Sequence, residues 1–111
     1  MKEIKAIVQP FKLPKIRSAL RNVKDFPGMS VSKVEGCGPV VADDLGHNIK
    51  ADLTDFTPKV RIEIAAPDDL VDEIVRTIAE AAYTGQVGDG LVWVTPVEHM
   101  TRIREKVGLP G

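Results

Sequence analysis

A glycine-rich segment, Thr84-Gly85-Gln86-Val87-Gly88-Asp89-Gly90, is the part of the sequence that most directly predicts a ligand site. Glycines between a helix and a strand allow successive backbone N–H groups to point toward one place, a geometry that binds anions. The segment lacks the lysine of a P-loop, since no GxxxxGK[ST] pattern occurs in the chain. A helix-to-strand turn also needs glycine for its shape alone, so a phosphate cradle and a purely structural turn both remain open.

Two arginines near the C-terminus, Arg102 and Arg104, form a second candidate site. In an extended segment, residues two apart point to the same side of the chain. The planar guanidinium group suits phosphate because it can donate two parallel, charge-assisted hydrogen bonds. The alternative is that both arginines are solvated side chains on a tail.

Cys37, the one cysteine of the chain, stands between Gly36 and Gly38. The two glycines could let a ligand approach the backbone, or they could simply allow a bend. No adjacent histidine is present to activate the thiol, so a small filler side chain is the simpler interpretation. The chain also lacks a Ser-His-Asp grouping, an HExxH pattern and a CxxC pattern, and we expect no catalytic residues.

The overall composition limits the classes of partner and the location. The 111 residues have a formal net charge of −1, and 28% of them are charged, with the two signs mixed along the chain. Binding to nucleic acid depends on clustered Lys and Arg, so no nucleic-acid partner is expected. The sequence shows no signal-peptide pattern and no apolar run long enough to cross a bilayer, and we expect a cytoplasmic protein.

Hydrophobic periodicity predicts four strands and two helices. The predicted strands are residues 4–8, 29–35, 60–64 and 91–97, and the predicted helices are residues 13–23 and 67–82. Residues 39–57 follow neither period, and a loop of that length in a compact domain is usually functional or disordered. The element order predicts an α+β, ferredoxin-like βαββαβ sandwich with a long loop between strands 2 and 3. We expect one domain over residues 1–111, with residues 98–111 as a short C-terminal tail.

One face of such a sheet would not be covered by the helices. We expect apolar residues of the strands to supply surface on that face, which would favour oligomerisation. The residues expected there are Val8, Ile62, Ile64, Val92 and Val94.

Several segments taken together resemble the PII family of signalling proteins. They are MKEIKAIVQPFKLPKIRSAL, GMSVSKVEGCG, PKVRIEIAAPDDLVDEIV, TGQVGDGLVWVTPVE and RIR, and they cover nearly the whole chain in the family's order. The stretch between Gly36 and Pro58 also matches, without gaps, the length of the family's large T-loop, here about residues 37–57. Matching segments in the right order are more specific than any one of them alone.

The resemblance implies a homotrimer that binds adenine nucleotide in three clefts between neighbouring subunits. Residues 88–90 of the glycine turn would hold the phosphates, and Arg102 and Arg104 of the adjacent subunit would reach them. Ser30 keeps the hydroxyl of the family's threonine, and Lys59 stands at the position associated with 2-oxoglutarate. The nucleotide-binding residues that the resemblance implies are Ile7, Gly28, Met29, Ser30, Gly36, Cys37, Gly38, Lys59, Glu63, Ala65, Thr84, Gly85, Gly88, Asp89, Gly90, Arg102 and Arg104.

The chain departs from the family pattern at several polar positions. Leu91 replaces the lysine that directly follows the glycine turn, and Gln86 replaces a basic residue. Residues 39–41, Pro-Val-Val, replace Arg-Gln-Lys. In the family that glutamine holds the Mg–ATP–2-oxoglutarate arrangement, so we expect 2-oxoglutarate binding to be weak or absent. Asp52 replaces the modified tyrosine, which excludes tyrosyl uridylylation at that position.

These departures predict a change in nucleotide preference. A charge-assisted hydrogen bond contributes about 1.5–3 kcal/mol. Because the lost contacts concern the γ-phosphate more than the base, ADP or AMP is expected to bind as well as or better than ATP.

The departures resemble the divergent PII-like branches more than the nitrogen regulators proper. The resulting prediction is a non-catalytic signalling protein that uses adenine nucleotide as an effector and has no cofactor. Its T-loop would dock on a partner protein, a transporter or an enzyme, through the apolar residues Val40, Val41, Leu45, Ile49 and Leu53. The alternative is a sensor of a metal ion or bicarbonate on the same scaffold, with weak or no nucleotide binding. Metal binding would then use Asp43, Asp44 and His47. A weak nucleotide hydrolase is a third possibility, but no general base is evident.

Overall fold

The computed structural model describes residues 1–38 and 56–106. Its strands are β1 (Lys2–Val8), β2 (Ser30–Gly36), β3 (Thr57–Ala66) and β4 (Gly90–Pro96). Its helices are α1 (Leu13–Arg21), α2 (Asp68–Ala82) and the short α3 (Ile103–Lys106), and a 3₁₀ turn, Pro10–Lys12, precedes α1. The predicted order of strands and helices is confirmed.

The four strands form one sheet in the order β2-β3-β1-β4, and every neighbouring pair is antiparallel. Helices α1 and α2 pack against each other, and α2 also contacts β1 and β4. Ile4 and Ile64 are opposite each other in the register and are both buried beneath the helices, together with Ile16 of α1 and Ile74 of α2. Two helices on one face of an antiparallel sheet confirm the predicted ferredoxin-like sandwich.

The prediction of which residues lie on the uncovered face was wrong. The register pairs Ile4 with Ile64 and Val94, and Ala6 with Ile62 and Val92, which places all of these residues on the helix-covered face. Val8, Ile62 and Ile64 are buried in the core, Val92 packs against it, and Val94 is 38% exposed near the sheet edge. Alternation separates the two faces of a strand, but it does not say which face the helices will cover.

The uncovered face carries charged side chains at its centre and apolar side chains beside them. Nζ of Lys5 lies 3.7 Å from Oε1 of Glu3 and 3.9 Å from Oε2 of Glu63, and Nε of Arg61 lies 3.7 Å from Oε1 of Glu63. The apolar residues that share this face are Ile7, Ala65, Leu91 and Trp93. In this chain, Trp93 is 38% exposed and Leu91 58% exposed.

Each helix is fixed by its apolar stripe and its first turn. Pro14 lies in the first turn of α1, where a missing N–H is tolerated, and Ile16 and Leu20 are buried. The helix ends at Arg21, two residues earlier than the periodicity predicted, although Val23 remains in the core. In α2, Asp68 and Asp69 occupy the first turn, where acids favour the helix dipole.

Two predicted segments lie largely outside the described residues. Strand β2 ends at Gly36 and β3 begins at Thr57, so the predicted T-loop fills the connection between them, and its residues 39–55 are not described. In the C-terminal tail the structure describes α3 but not residues 107–111. Within the described parts of the chain, no helix is long and apolar enough to cross a membrane.

Candidate functional site

The glycine turn, residues 84–90, connects the end of α2 to the start of β4. Gly85, Gly88 and Gly90 have positive φ values of 83°, 96° and 107°. L-residues with a Cβ rarely adopt this conformation, so the turn depends on glycine for its path. Because β1 and β4 pair with Val8 opposite Gly90, the turn lies at the end of the sheet where β1 ends.

The side chain of Asp89 forms hydrogen bonds with other residues of the glycine turn. Its carboxylate accepts hydrogen bonds from the backbone N–H of Thr84 at 2.7 Å and of Gly85 at 2.9 Å, and from the hydroxyl of Thr84. The Thr84 hydroxyl in turn accepts from the N–H of Gln86 at 3.1 Å. The hydrogen bond from the Thr84 hydroxyl is the largest cause that lowers the pKa of Asp89 below its ordinary value, followed by the backbone N–H groups and the charge of Lys12.

These contacts divide the turn into two parts. The N–H groups of Thr84, Gly85 and Gln86 are occupied within the turn. The N–H groups of Val87 and Gly88 donate to no other residue within the described ranges, and the side chain of Val87 is fully exposed. Neighbouring N–H groups of this kind are a suitable anion site. Val87 and Gly88 therefore have N–H groups that an anion could use, whereas the N–H groups of Thr84 and Gly85 are already bonded to Asp89.

The carbonyl oxygen of Gly88 is held by two side chains from different strands. Nε2 of Gln9 donates to it at 2.8 Å, and Nζ of Lys59 donates to it at 3.1 Å. Gln9 directly follows β1, and Lys59 lies in β3. The ammonium also lies 3.6 Å from a Cβ built on Gly88, so the lysine places a positive charge next to this residue, which favours an anion there.

Five of the side chains predicted to contact the nucleotide share the uncovered face of the sheet, and Lys59 of β3 is one of them. Ile7 lies on β1 between Arg61 and Leu91, and Ser30 lies opposite Glu63 on β2 and β3. Ala65 follows two residues after Glu63 and points to the same side. Gly28 and Met29 immediately precede β2, where Met29 packs against the core.

The predicted residues at and after the end of β2 are connected to the glycine turn by the side chain of Lys59. Gly36 ends β2, and the exposed Cys37 and Gly38 follow it. A Cβ built on Gly36 would lie 3.3 Å from Cγ of Lys59. The structure therefore brings Gly36, Lys59 and Gly88 together at one end of the sheet.

Arg102 and Arg104 lie away from this end. Strand β4 runs from Gly90 to Pro96, roughly 20 Å at the ordinary rise of a strand, and the tail leaves from the far end. Among the residues that the structure describes, neither arginine forms a hydrogen bond or ion pair with the glycine turn. Within one subunit these arginines and the turn do not form one site.

The prediction that the two arginines lie in an extended segment was wrong. Arg104 belongs to α3, which begins at Ile103, and Arg102 immediately precedes it. Residues two apart on a helix do not face the same side, so alternation gives no reason to place the two guanidinium groups together. Their spacing in sequence could not reveal a helix of only four residues.

Sequence reasoning missed two residues of this site. Gln9 reaches Gly88 because β1 pairs with β4, a long-range contact that no local pattern indicates. Lys12 contributes a charge that lowers the pKa of Asp89. The one sequence feature that could have indicated Gln9 as a site residue is its position as a polar residue directly after a strand.

The structure offers no metal site in the parts it describes. Residues 1–38 and 56–106 contain no group of three or more His, Cys, Asp or Glu side chains that could hold a metal ion. The alternative ligands Asp43, Asp44 and His47 lie outside those ranges, as do the family departures at residues 39–41 and at Asp52.

Comparison with known proteins gives consistent results over nearly the full chain. The family profile described as "Nitrogen regulatory protein P-II" matches residues 1–107. The chain is 44% identical to nitrogen regulatory protein P-II 1 of Escherichia coli K12 over 104 residues, which cover 94% of this chain and 92% of the relative. Over the same shares of both chains it is 40% identical to the P-II protein of Azospirillum brasilense and 38% identical to that of Haemophilus influenzae.

Proposed function

The chain belongs to the nitrogen regulatory protein P-II family, and from this premise we propose that it is a non-catalytic signalling protein that senses adenine nucleotides. It binds the nucleotide in clefts between the subunits of a homotrimer and regulates a partner protein through its T-loop. The names of the relatives refer to nitrogen regulation, and we extend that role to this chain.

One observation supports nucleotide binding most directly. The N–H groups of Val87 and Gly88 are adjacent, and the Lys59 ammonium lies 3.1 Å from the Gly88 carbonyl oxygen. Adjacent N–H donors near a positive charge favour the binding of an anion such as a phosphate group. The carboxylate of Asp89 accepts hydrogen bonds from the N–H groups of Thr84 and Gly85 and so fixes the conformation of the turn.

The adenine base would lie against the uncovered face of the sheet. Ile7 and Ala65 offer apolar contact, and Ser30 and Glu63 offer hydrogen-bonding groups on the same face. Gly28 and Met29 adjoin Ser30 at the start of β2.

The arginines complete the site only from a second subunit. Because the tail leaves the sheet at the end opposite to the turn, we propose that Arg102 and Arg104 reach the phosphates of a neighbouring copy. This arrangement supports an oligomer with sites shared between subunits, and the number of three subunits rests on the resemblance to the family.

We further propose that ADP or AMP binds at least as well as ATP. Leu91, which is 58% exposed directly after the turn, offers no positive charge to a γ-phosphate. Residues 39–41 lack the glutamine of the family's Mg–ATP–2-oxoglutarate arrangement, so 2-oxoglutarate adds little or no affinity.

The T-loop would carry the signal. Different nucleotides stabilise different loop conformations through their differential contacts at Gly36 and the turn. One of these conformations docks on a transporter or an enzyme.

Isothermal titration of the purified protein with AMP, ADP and ATP tests the proposal, with and without Mg²⁺ and 2-oxoglutarate. We expect binding of all three nucleotides, with ATP no tighter than ADP. Arg102→Ala should weaken binding by about tenfold or more, as expected for one charge-assisted contact. Arg76→Ala, an exposed arginine on α2, is the matched control and should bind like the original protein.

Each unfavourable result has a definite meaning. Absence of binding by every nucleotide would refute the nucleotide-sensing function and direct the search to metals and small anions. A clear preference for ATP would refute only the proposed order of affinities. Equal effects of the two arginine variants would show that Arg102 is not part of the site.

A further inference from the structure

Helix α1 and the turn after it carry exposed charges of one sign. Residues 12–24 contain five basic and no acidic side chains, although the whole chain has a formal net charge of −1. Arg17, Arg21 and Lys24 are exposed, and we call these three residues the basic face. Arg17 and Arg21 are four residues apart, so they share one side of the helix and repel each other. Lys15 lies in the first turn, where the helix dipole also disfavours a positive charge. The stability of α1 therefore does not explain its charges.

Helix α2, which packs beside α1, carries exposed charges of the opposite sign. Residues 68–82 contain five acidic side chains and one basic side chain, Arg76. Asp69, Asp72 and Glu73 are exposed, and we call them the acidic face. Asp69 and Glu73 are again a like-charge pair four residues apart. Each helix would thus be stabilised by opposite charges placed over it.

The two faces do not neutralise each other within one chain. Among the described residues, the ion pair of α2 joins Asp68 to the Met1 ammonium at 2.6 Å. No ion pair within the same ranges includes a residue of the basic face or of the acidic face. The charges of both faces therefore remain for a partner.

The directions of the strands place the opposite charges at the same end of the helix layer. Strands β1 and β2 are both antiparallel to β3, and β4 is antiparallel to β1. Helix α1 connects β1 to β2 and α2 connects β3 to β4, so the two helices run in opposite directions. The C-terminal end of α1, with Arg21, therefore lies at the same end of the layer as the N-terminal end of α2, with Asp69.

A partner surface of a single charge sign fits this layer poorly. The axes of packed helices lie about 8–10 Å apart, close to the Debye length of about 10 Å at 0.1 M salt. A membrane or a nucleic acid that is attracted by α1 would also be repelled by the acidic face of α2. The matching surface carries the same two rows of charge in the opposite order.

A second copy of this chain presents that surface. Rotation about a two-fold axis parallel to the helices places α2 of the second copy over α1 and α1 of the second copy over α2, so each contact occurs twice. The rotation also keeps the ends of the layer together, which brings Asp69 of the second copy opposite Arg21.

From this pattern we propose that two copies of the chain dock through their helix layers, the basic face of each on the acidic face of the other. The proposed homotrimer buries the sheet face, so the helix layer stays accessible and the contact joins one oligomer to another. Exposed ion pairs are individually weak and are screened by salt, so this assembly forms at high protein concentration and low ionic strength. It needs no nucleotide and goes beyond the proposed sensing function.

Sedimentation velocity of the purified protein at about 20 mM and about 300 mM salt tests the contact. We expect larger species at the lower salt concentration and their dissociation at the higher one. The double variants Arg17→Glu/Arg21→Glu and Asp69→Lys/Glu73→Lys place like charges opposite each other in both halves of the contact. Each should raise the dissociation constant of the larger species by about tenfold or more.

The quadruple variant that combines these four substitutions is the matched control. It reverses both faces and keeps the formal net charge of −1, so an effect of net charge alone cannot restore association. We expect it to associate with itself like the original protein. In a mixture, a trace of fluorescently labelled quadruple variant should not join an excess of the original protein, because like charges would then face each other.

Each other outcome overturns the inference. These outcomes are no association of the original protein at low salt, unchanged association in either double variant, and a quadruple variant that stays dissociated. If circular dichroism shows that a charge-reversed variant does not fold, Arg17→Gln/Arg21→Gln replaces it: about tenfold weaker association supports the contact, and unchanged association overturns it.

Binding to vesicles gives a further decision. Vesicles that contain phosphatidylserine and bind the original protein, but not Arg17→Glu/Arg21→Glu, in the absence of self-association would assign the basic face to an anionic surface and overturn the contact between copies. Titration with nucleotide is measured separately, so failure of this inference leaves the proposed function intact.

Discussion

Gly90 lies so close to Ile7 that a Cβ built on Gly90 would stand 1.8 Å from the carbonyl oxygen of Ile7. The contact joins the end of the glycine turn to β1, because Gly90 is the first residue of β4 and lies beside Val8 in the register. The φ of Gly90 is 107°, a second reason why a side chain is not tolerated there. The position of the turn against the sheet thus depends on a residue that has no side chain.

We predict that Gly90→Ala will destabilise the protein by about 3–5 kcal/mol, because the new methyl group must push apart two paired strands. Gly28→Ala is the matched control: its φ is 99°, but nothing lies within 4 Å of its built Cβ. Gly28→Ala should be destabilised only by the backbone strain of a positive φ, by about 1–2 kcal/mol. Chemical denaturation of both variants measures the difference. Equal losses of stability in the two variants would show that backbone strain, and not the contact with Ile7, is the reason why Gly90 does not tolerate a side chain.

The hydrogen bonds to Asp89 predict how the turn depends on pH. Its pKa is lowered in the folded protein, so its stabilising effect is complete above the ordinary carboxyl value of 3.8 and is lost as the pH falls through the lower folded value. In NMR titrations we expect the amide signals of Thr84 and Gly85 to stay constant down to pH 3.8.

Thr84→Val tests the cause of this shift. The variant removes the hydroxyl that contributes most to the lowered pKa, so the midpoint for Asp89 should rise toward 3.8. Thr77→Val is a suitable control, because the Thr77 hydroxyl instead donates to the carbonyl oxygen of Glu73 on α2. An unchanged midpoint in Thr84→Val would contradict the assignment.

Substitution of Leu91 by lysine should increase the preference of the protein for ATP over ADP. Family members have a lysine directly after the glycine turn, and Leu91 is 58% exposed at this position. In Leu91→Lys the new ammonium should contact a γ-phosphate and improve ATP affinity relative to ADP by about tenfold. Leu91→Met, which adds length without charge, should leave the ratio unchanged. Calorimetric titrations of ADP and ATP measure the ratio, and a similar change in both variants would argue against an electrostatic cause.

Substitution of Glu63 tests whether the uncovered face of the sheet lies between the subunits of a trimer. It lies on the uncovered face between Lys5 and Arg61, at 3.9 Å and 3.7 Å from their nitrogen atoms. If other subunits cover this face, Glu63→Gln removes the carboxylate that Arg61 and Lys5 share and leaves Lys5 with Glu3 alone, which should weaken association by tenfold or more. Light scattering of nucleotide-free protein should show the mass of three 12.1 kDa chains for the original sequence and lower masses for the variant on dilution.

Glu80→Gln provides the control for this experiment, since Glu80 is exposed on α2. Its mass should match that of the original protein at every concentration. A monomeric original protein would contradict the proposed homotrimer, and an unchanged Glu63→Gln would show that the charge cluster does not support it.

The order of the elements could be predicted from the sequence because local patterns determine it. Alternation in β1, helical spacing from Ile74 to Ile78 and the glycines at residues 84–90 each act over a few neighbouring residues. The long connection between β2 and β3 was likewise evident from the absence of any period. These features led to the correct fold class and to the correct family.

The faces of the sheet and the contacts of the turn were decided only by tertiary structure. Ile62 and Ile64 face the helices because α1 and α2 pack on that side, and alternation is the same for either choice. Gln9 and Lys59 meet at Gly88 because three strands that are distant in sequence pair side by side. The sequence by itself thus determined which elements form and which residues have suitable chemistry, because both depend on short-range patterns. Which of those residues share a site depends on long-range pairing, and this only the folded chain decided.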